Sequence, residues 1–364
     1  MKITLVAGAR PNFMKIAPII HEIEKRQQQG AAISYRLIHT GQHYDKNLSD
    51  TFFEELNIPH PHDNLDVKSG TQAAQTGAIM IAFEKELSEN PCDLVLVVGD
   101  VTSTMACTIV AKKAHIAVTH VEAGIRSGDM KMPEEINRIV TDSITDYFFT
   151  TSEKATEYLE SIGVPKARVF FVGNVMIDTL LANLSRIRKP SFWDDLSLSN
   201  GSYFVLTLHR PSNVDSLDDI SELLRYIVKK ANGKPIVFPV HPRTRAILND
   251  ANLSFDKLHY VDPQGYLAFI YLVKYAKAIL TDSGGITEEA SVLNVPCLTF
   301  RDSTERPETC SLGTNVLVGN DYSKIDAAFE KLDTNNWQQS HPIPLWDGKA
   351  SQRIIENILK LYDH

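Results

Sequence analysis

The sequence predicts an α/β protein made of two doubly wound, Rossmann-like halves facing a cleft. Short β-branched runs alternate with longer amphipathic ones along most of its 364 residues. Alternation of that kind implies parallel sheets covered by helices on both faces. The pattern breaks once, at residues 196–202 (LSLSNGS), after the basic, proline-bearing RIRKPSFWDD. Composition there turns from periodic to turn-like, so the linker is placed within 180–202 and the length divides into two domains.

In the first half, strands are expected at 2–6, 35–40, 94–98, 117–121 and 146–150, each followed by a helical or loop segment. In the second half they are expected at 203–208, 235–240, 259–261, 278–281, 295–300 and 314–317. Residues 347–362 have helical periodicity with no strand after them.

Composition bounds the function. At 43% hydrophobic and 23% charged residues the chain is an ordinary globular protein with ample core. A net charge of −8 argues against nucleic acid or an anionic membrane as the main partner. No apolar stretch approaches the roughly 18 residues of a membrane span. The N-terminus runs straight into a strand pattern, so no signal peptide is expected. Cys92, Cys107, Cys297 and Cys310 show no CxxC spacing and read as reduced thiols of a cytoplasmic protein, with Cys107 and Cys297 in the core.

In doubly wound sheets, ligands sit beyond the carboxyl ends of the strands, and the unusual residues fall there. The first strand ends in GARPNFMK, which leaves Arg10 either at the cleft mouth, aimed at anionic groups, or as a surface helix cap. That loop is neither GxGxxG nor a Walker loop, so no dinucleotide cofactor is indicated. The strand at 94–98 ends in VGDVTST; taken alone, Asp100 reads as a cap or turn residue. The strand at 117–121 runs into EAGIRSGDMKMPEEINR, with Glu122 at the strand end and Glu134, Glu135, Asn137 and Arg138 opening a helix behind Pro133. Carboxylates gathered from several loops at one sheet edge exceed what capping needs. Mutual repulsion would raise their pKa values and suit them to acid–base work, unless they form a solvated acidic rim.

The second half delivers His209 in HRPSN and His241 in HPRT, each with an arginine, to strand ends. Histidine donates to phosphate and arginine grips it bidentately. No HxxxH or close Asp/His spacing supports a metal, and none is expected. HPHD at 60–63 reads as a polar loop. After the strand at 278–281, the amides of Ser283, Gly284 and Gly285 at a helix start can hold a diphosphate. Glu289, one turn in, is placed to accept the vicinal hydroxyls of a ribose, while Glu288 reads as a helix-dipole partner. Arg301 and Arg306, in FRDSTERPET, would offset the charge. Such a site asks for a nucleoside diphosphate attached to something else.

The blocks GARPNFMKIAPI, VGDVTST, HVEAGIRSGDMKMPEEINR, GNVMIDTL, PVHPRT, DSGGITEEA and FRDSTERPE, spread over residues 8–308, together resemble the non-hydrolysing UDP-N-acetylglucosamine 2-epimerases. The resemblance implies a fold like that of the GT-B glycosyltransferases, with the C-terminal helix returning to the first domain. The domains are then 1–185 with 347–364, carrying the catalytic carboxylates, and 200–346, carrying UDP. It implies interconversion of UDP-GlcNAc and UDP-ManNAc through 2-acetamidoglucal, for polysaccharide precursor synthesis, without NAD or an obligatory metal, in a homodimer. The matching catalytic positions are Lys15, Asp100, Glu122, Glu134, Arg138 and His209. Those matching the UDP site are Ser283, Gly284, Gly285 and Glu289, with Arg306, His209 and Arg10 around the nucleotide.

Two departures are the short MKM segment and HRPSN in place of a doubled arginine. Epimerases of UDP-2,3-diacetamido uronic acids share such features and supply the alternative substrate. Around GQHYDKN only Gln42 and His43 match the pattern linked to allosteric UDP-GlcNAc binding, so that regulation is not expected. The rivals from other classes are a GT-B glycosyltransferase, which commonly needs one base, and a silent nucleotide-sugar sensor, which would leave Asp100, Glu122 and Glu134 without a task.

Overall fold

The computed structural model describes the chain apart from residues 42–52, 69, 209–215, 241–243, 247, 249–250, 252 and 363–364 and the side chain of Arg10. It divides into two compact units, Met1–Ala182 with Pro344–His364, and Asn183–Ile343. Among the described residues, no helix is long and apolar enough to cross a membrane.

The first unit runs β1 (Lys2–Ala7), α1 (Arg10–Gln28), β2 (Ser34–His39), β3 (Asp63–Asn64), α2 (Gln72–Glu89), β4 (Leu94–Val98), α3 (Thr102–Lys113), β5 (Ala117–Val121), α4 (Pro133–Ile144), β6 (Tyr147–Thr150), α5 (Glu153–Ser161), β7 (Val169–Phe171) and α6 (Val175–Asn183). Its sheet is parallel, in the order β3-β2-β1-β4-β5-β6-β7. The LVLVV run of β4 is buried throughout because helices cover both faces of a central parallel strand. Strand order reverses between β1 and β4, and the crevice at such a reversal is where ligands bind.

The second unit repeats the plan with β8 (Phe204–Thr207), α7 (Leu217–Ala231), β9 (Ile236–Pro239), β10 (Leu258–Val261), α8 (Tyr266–Tyr275), β11 (Ala278–Thr281), α9 (Gly284–Val292), β12 (Cys297–Thr299), α10 (Pro307–Ser311), β13 (Asn315–Leu317) and α11 (Tyr322–Asp333). Its sheet is β10-β9-β8-β11-β12-β13, again parallel, with the reversal between β8 and β11.

Two strands escaped the sequence reading. β3 is only Asp63–Asn64, residues of low strand propensity, and exists because it pairs with Ile38 and His39 at the sheet edge. It takes in the last residue of HPHD, and His62 Nδ1 accepts the Leu37 amide hydrogen at 3.1 Å, so that segment is not simply a polar loop. β7, Val169–Phe171, is short and only half-buried, which blurs its pattern.

The last helix, α12 (Ala350–Tyr362), packs on α1 in the first unit. Asp178 of α6 holds its start, accepting from the amides of Ala350 (3.1 Å) and Ser351 (2.7 Å) and from Ser351 Oγ (2.7 Å). Trp346 Nε1 donates to the Thr151 carbonyl at 3.0 Å. Gly173, at φ +91°, lies so close beneath Leu345 that a Cβ would collide with its carbonyl oxygen. Within α1, Pro18 leaves the Met14 carbonyl without a helical donor, and Thr179 Oγ1 supplies one at 2.6 Å.

Candidate functional site

In the first unit the turn at Gly99 is the centre of the site. Gly99 has φ +66°, and a Cβ there would stand 2.9 Å from Lys15 Nζ and 3.4 Å from Asn12 Nδ2. The positive φ favours glycine here, and its bare Cα leaves room for the ends of the Lys15 and Asn12 side chains. Asn12 ties the β1 and β4 ends together. Its Oδ1 accepts from the Gly8 (3.1 Å) and Ala9 (3.0 Å) amides, and its Nδ2 donates to the Val98 carbonyl at 3.1 Å.

Lys15 is ion-paired with Glu122, and both side chains are largely buried. Glu122 itself adopts φ +78°, unusual for a residue with a Cβ, and is held there by its amide's bond to the Phe149 carbonyl at 2.9 Å. On the other side of the turn, Asp100 Oδ2 accepts from Arg138 Nε (3.0 Å) and Arg138 Nη2 (2.5 Å). Asn137 Nδ2 donates to the Asp100 carbonyl at 2.9 Å. The structure therefore gathers Lys15, Asp100, Glu122 and Arg138 around one turn.

In place of the expected crowded, mutually repelling carboxylates, the geometry sets cations between them: Lys15 pairs with Glu122, and Arg138 pairs with both Asp100 and Glu135. The adjacent acids of α4 also separate. Glu135 is buried, with its carboxylate taking the Ser127 (2.9 Å) and Gly128 (3.0 Å) amides and Arg138 Nη1 (2.8 Å). Burial pushes its pKa up, but those hydrogen bonds outweigh it and the value ends lowered. Glu134, half-buried in the first turn of α4, has no hydrogen-bond or ion-pair partner among the described residues.

The second unit places a different chemistry at the end of β11. Ser283 precedes α9 without a side-chain cap, and the amides of Gly284 and Gly285 are orphan donors by position. The Ser283 amide is not: it donates to Thr281 Oγ1 at 2.9 Å, so of the expected amide cradle only the two glycines remain. Thr281 Oγ1 is itself 2.6 Å from Thr207 Oγ1, joining the ends of β11 and β8.

Arginines stand nearby, each matched to a carboxylate. Arg301 Nη2 lies 2.7 Å from Glu305 Oε1, and a Cβ on Gly284 would be 3.6 Å from Arg301 Nη1. Arg306 Nε donates to Glu288 Oε1. Glu288 is thus the partner of Arg306 rather than of the helix dipole, because it falls beyond the first turn of α9 and faces inward. Glu289 is also buried and accepts from Tyr266 Oη at 3.1 Å. Burial lifts its pKa to about 8, with Glu288 adding and the Tyr266 hydroxyl opposing.

His209, His241, Gln42 and His43 lie outside the described residues, and Arg10 opens α1 with its side chain outside them as well. Sequence reasoning missed Asn12, which shares a block with Arg10 and Lys15. It also missed His120, Asp142 and Tyr266. A histidine inside an apolar strand, and an Asp in α4 spaced by a helical turn from Arg138, were the available signals.

Residues 25–359 match the family model described as UDP-N-acetylglucosamine 2-epimerase. The chain is 42% identical to the UDP-N-acetylglucosamine 2-epimerase of Methanocaldococcus jannaschii, over 98% of each chain. A crystal structure of the Methanocaldococcus jannaschii UDP-GlcNAc 2-epimerase in complex with UDP-GlcNAc and UDP superposes with a TM-score of 0.89 at 41% identity, covering 99% of this chain and 100% of that one. The UDP-2,3-diacetamido-2,3-dideoxy-D-glucuronate 2-epimerase of Pseudomonas aeruginosa is 38% identical over 99% of this chain and 100% of its own.

Proposed function

Because this chain belongs to the UDP-N-acetylglucosamine 2-epimerase family and is an isomerase, we propose that it interconverts UDP-GlcNAc and UDP-ManNAc by eliminating UDP and adding it back. The observation that carries the reading is the turn at Gly99, where Lys15, Asp100, Glu122 and Arg138 converge at the strand-order reversal.

The C2 hydrogen of the sugar has no neighbouring carbonyl and is poorly acidic. Departure of UDP from C1 gives oxocarbenium character, after which a base removes the C2 proton and 2-acetamidoglucal forms. Delivery of a proton to the opposite face of C2 and return of UDP to C1 complete the inversion, so atoms and charge balance. The departing diphosphate needs donors already in place. We assign these to the Gly284 and Gly285 amides with Arg301, Arg306, Arg10, His209 and His241, and the ribose to Glu289. Proton transfer is assigned to the first unit. Glu134, without a hydrogen-bond or ion-pair partner among the described residues, is assigned one proton transfer; Asp100 and Glu122, held by Arg138 and Lys15, are assigned its counterpart.

The family resemblance adds action on precursors of cell-surface polysaccharide and a homodimer, and the unpaired pattern of the four cysteines adds the cytoplasm. The test is incubation with UDP-GlcNAc in D2O, observed by NMR. Deuterium entering C2 of both epimers is expected, and its absence would end the proposal. A second substrate, a UDP-2,3-diacetamido uronic acid, is favoured by the likeness to the Pseudomonas aeruginosa enzyme. A higher kcat/KM on that sugar than on UDP-GlcNAc would transfer the assignment to it.

A further inference from the structure

Beneath the Gly99 turn lies a buried ionic assembly that the chemistry above does not use. His120 of β5 and Asp142 of α4 are both fully buried, with His120 Nδ1 2.7 Å from Asp142 Oδ1. The other ring nitrogen, Nε2, lies 2.7 Å from the Gly99 carbonyl oxygen. Asp142 also accepts from the Gly124 amide at 3.1 Å and pairs with Arg126 Nη1 at 2.8 Å. The Arg126 guanidinium stacks 4.5 Å above the Tyr158 ring.

Both ring nitrogens face acceptors. Nε2 ties the ring to the Gly99 carbonyl and Nδ1 ties it to Asp142, so one side chain links the turn to α4. For Asp142, burial raises the carboxyl, but His120 and Arg126 more than compensate and hold it below its usual range. The pair is too deep to touch substrate. Nor is it an efficient way to gain stability, since buried ion pairs are often matched or bettered by apolar residues of equal volume.

What it grips is informative. The Gly99 carbonyl immediately precedes Asp100, and the Gly124 amide follows Glu122 by two residues. Gly99, Glu122 and Gly124 all have positive φ, at +66°, +78° and +78°, so these turns have little intrinsic preference for their shape and need an external hold. We propose that His120 and Asp142 form a positioning pair for the epimerisation, locking the two turns so that Asp100 and Glu122 keep a fixed mutual placement. This rests on the roles given above to those carboxylates.

The experiment compares the full-length wild type with His120→Phe, Asp142→Ala and Asp142→Asn, measuring folding, kcat, KM, UDP affinity and C2 deuterium exchange. In Asp142→Asn the new amide side chain would still accept from Gly124 and Arg126. It could also donate to a neutral His120, whose Nε2–H stays on Gly99. His120→Phe and Asp142→Ala are therefore expected to lose roughly 10- to 100-fold in kcat, the scale of small misplacements, with UDP affinity little changed. Asp142→Asn is expected to recover the greater part of what Asp142→Ala loses. A folded His120→Phe or Asp142→Ala protein with wild-type kcat overturns the proposal. Should those variants not fold, nitrogen NMR of 15N-histidine-labelled wild type decides it: a hydrogen on His120 Nε2 is expected, and an Nε2 without one could not hold the Gly99 carbonyl and overturns the proposal. A wild type that exchanges no deuterium at C2 overturns instead the functional reading on which the pair's role depends.

Discussion

Tyr266 Oη donates to Glu289 Oε1 across 3.1 Å, and both residues are buried in the second unit. One neutral hydroxyl is a modest counterweight for a buried carboxylate, which is why burial still dominates and the Glu289 pKa stands at about 8 against an ordinary 4.5. An acid kept at this cost in the unliganded protein is best explained by a ligand that repays it with hydroxyl donors.

A pH signature follows from that shift. Below about pH 4.5 Glu289 is protonated folded and unfolded, and costs nothing extra. As pH rises from there to about 8, the unfolded chain releases its proton while the folded one retains it, and stability falls. Glu289→Gln removes this, so the variant should gain on the wild type by on the order of 1 kcal/mol per pH unit across that window. The same variant should bind UDP more weakly by roughly 2 kcal/mol. Thermal unfolding at pH 5 and pH 8 checks the first part and calorimetry the second. Parallel stability profiles for the two proteins would contradict the buried acid, and unchanged UDP affinity would remove Glu289 from the nucleotide site.

The Lys15–Glu122 pair predicts a coupled result. Lys15→Met removes the charge that Lys15 places against the largely buried Glu122 carboxylate and should cost roughly 3 kcal/mol, whereas the double variant with Glu122→Gln should regain most of that. Activity should fail in both, because the double variant restores charge balance but not the reacting groups. Denaturant unfolding and turnover on the four proteins of the cycle provide the check. Independent, additive stability losses would mean that the pair is not energetically coupled.

The C-terminal helix is capped by a residue far away in the chain. Asp178→Ala removes the acceptor for two amides and a hydroxyl at the start of α12, and should cost about 2 kcal/mol. Amide exchange should rise first in α12. Exchange that rises evenly over the whole first unit would show that the cap has no local role.

Why some of this was legible in sequence and some not is clear from particular residues. The β4 run is unmistakable because a doubly covered strand must be apolar at every position, and topology then places Asp100 and Glu122 at strand ends. β3 has no pattern of its own and is created by its neighbour's edge. Pairings are harder still. Arg306 with Glu288, and the Ser283 amide with Thr281 Oγ1, depend on which way a helix turns its face once packed. His120 and Asp142 meet only because β5 and α4 fold together, and neither residue alone signals the other.

Glu134 supplies the sharpest test of the mechanism. Its neighbour Glu135 is committed to the Ser127 and Gly128 amides and to Arg138, so Glu135→Gln should destabilise the first unit by about 1–3 kcal/mol. Glu134 has no such duty among the described residues, and Glu134→Gln should leave stability within roughly 0.5 kcal/mol of the wild type. Its turnover should nonetheless fall roughly 100-fold or more, the scale of lost general acid–base catalysis. UDP affinity should persist, since the groups assigned to the nucleotide are almost all in the other unit. If Glu134 serves the reprotonation half, elimination continues while its reversal on the opposite face stalls, so 2-acetamidoglucal and UDP should accumulate on long incubation. Chromatography detects both. Any epimer still formed in D2O should carry deuterium at C2, because the proton returned there comes from a group that has exchanged with solvent. Full retention of the original C2 hydrogen would exclude proton exchange with solvent and require that the hydrogen removed from C2 be returned to its other face without exchange, as in a hydride route.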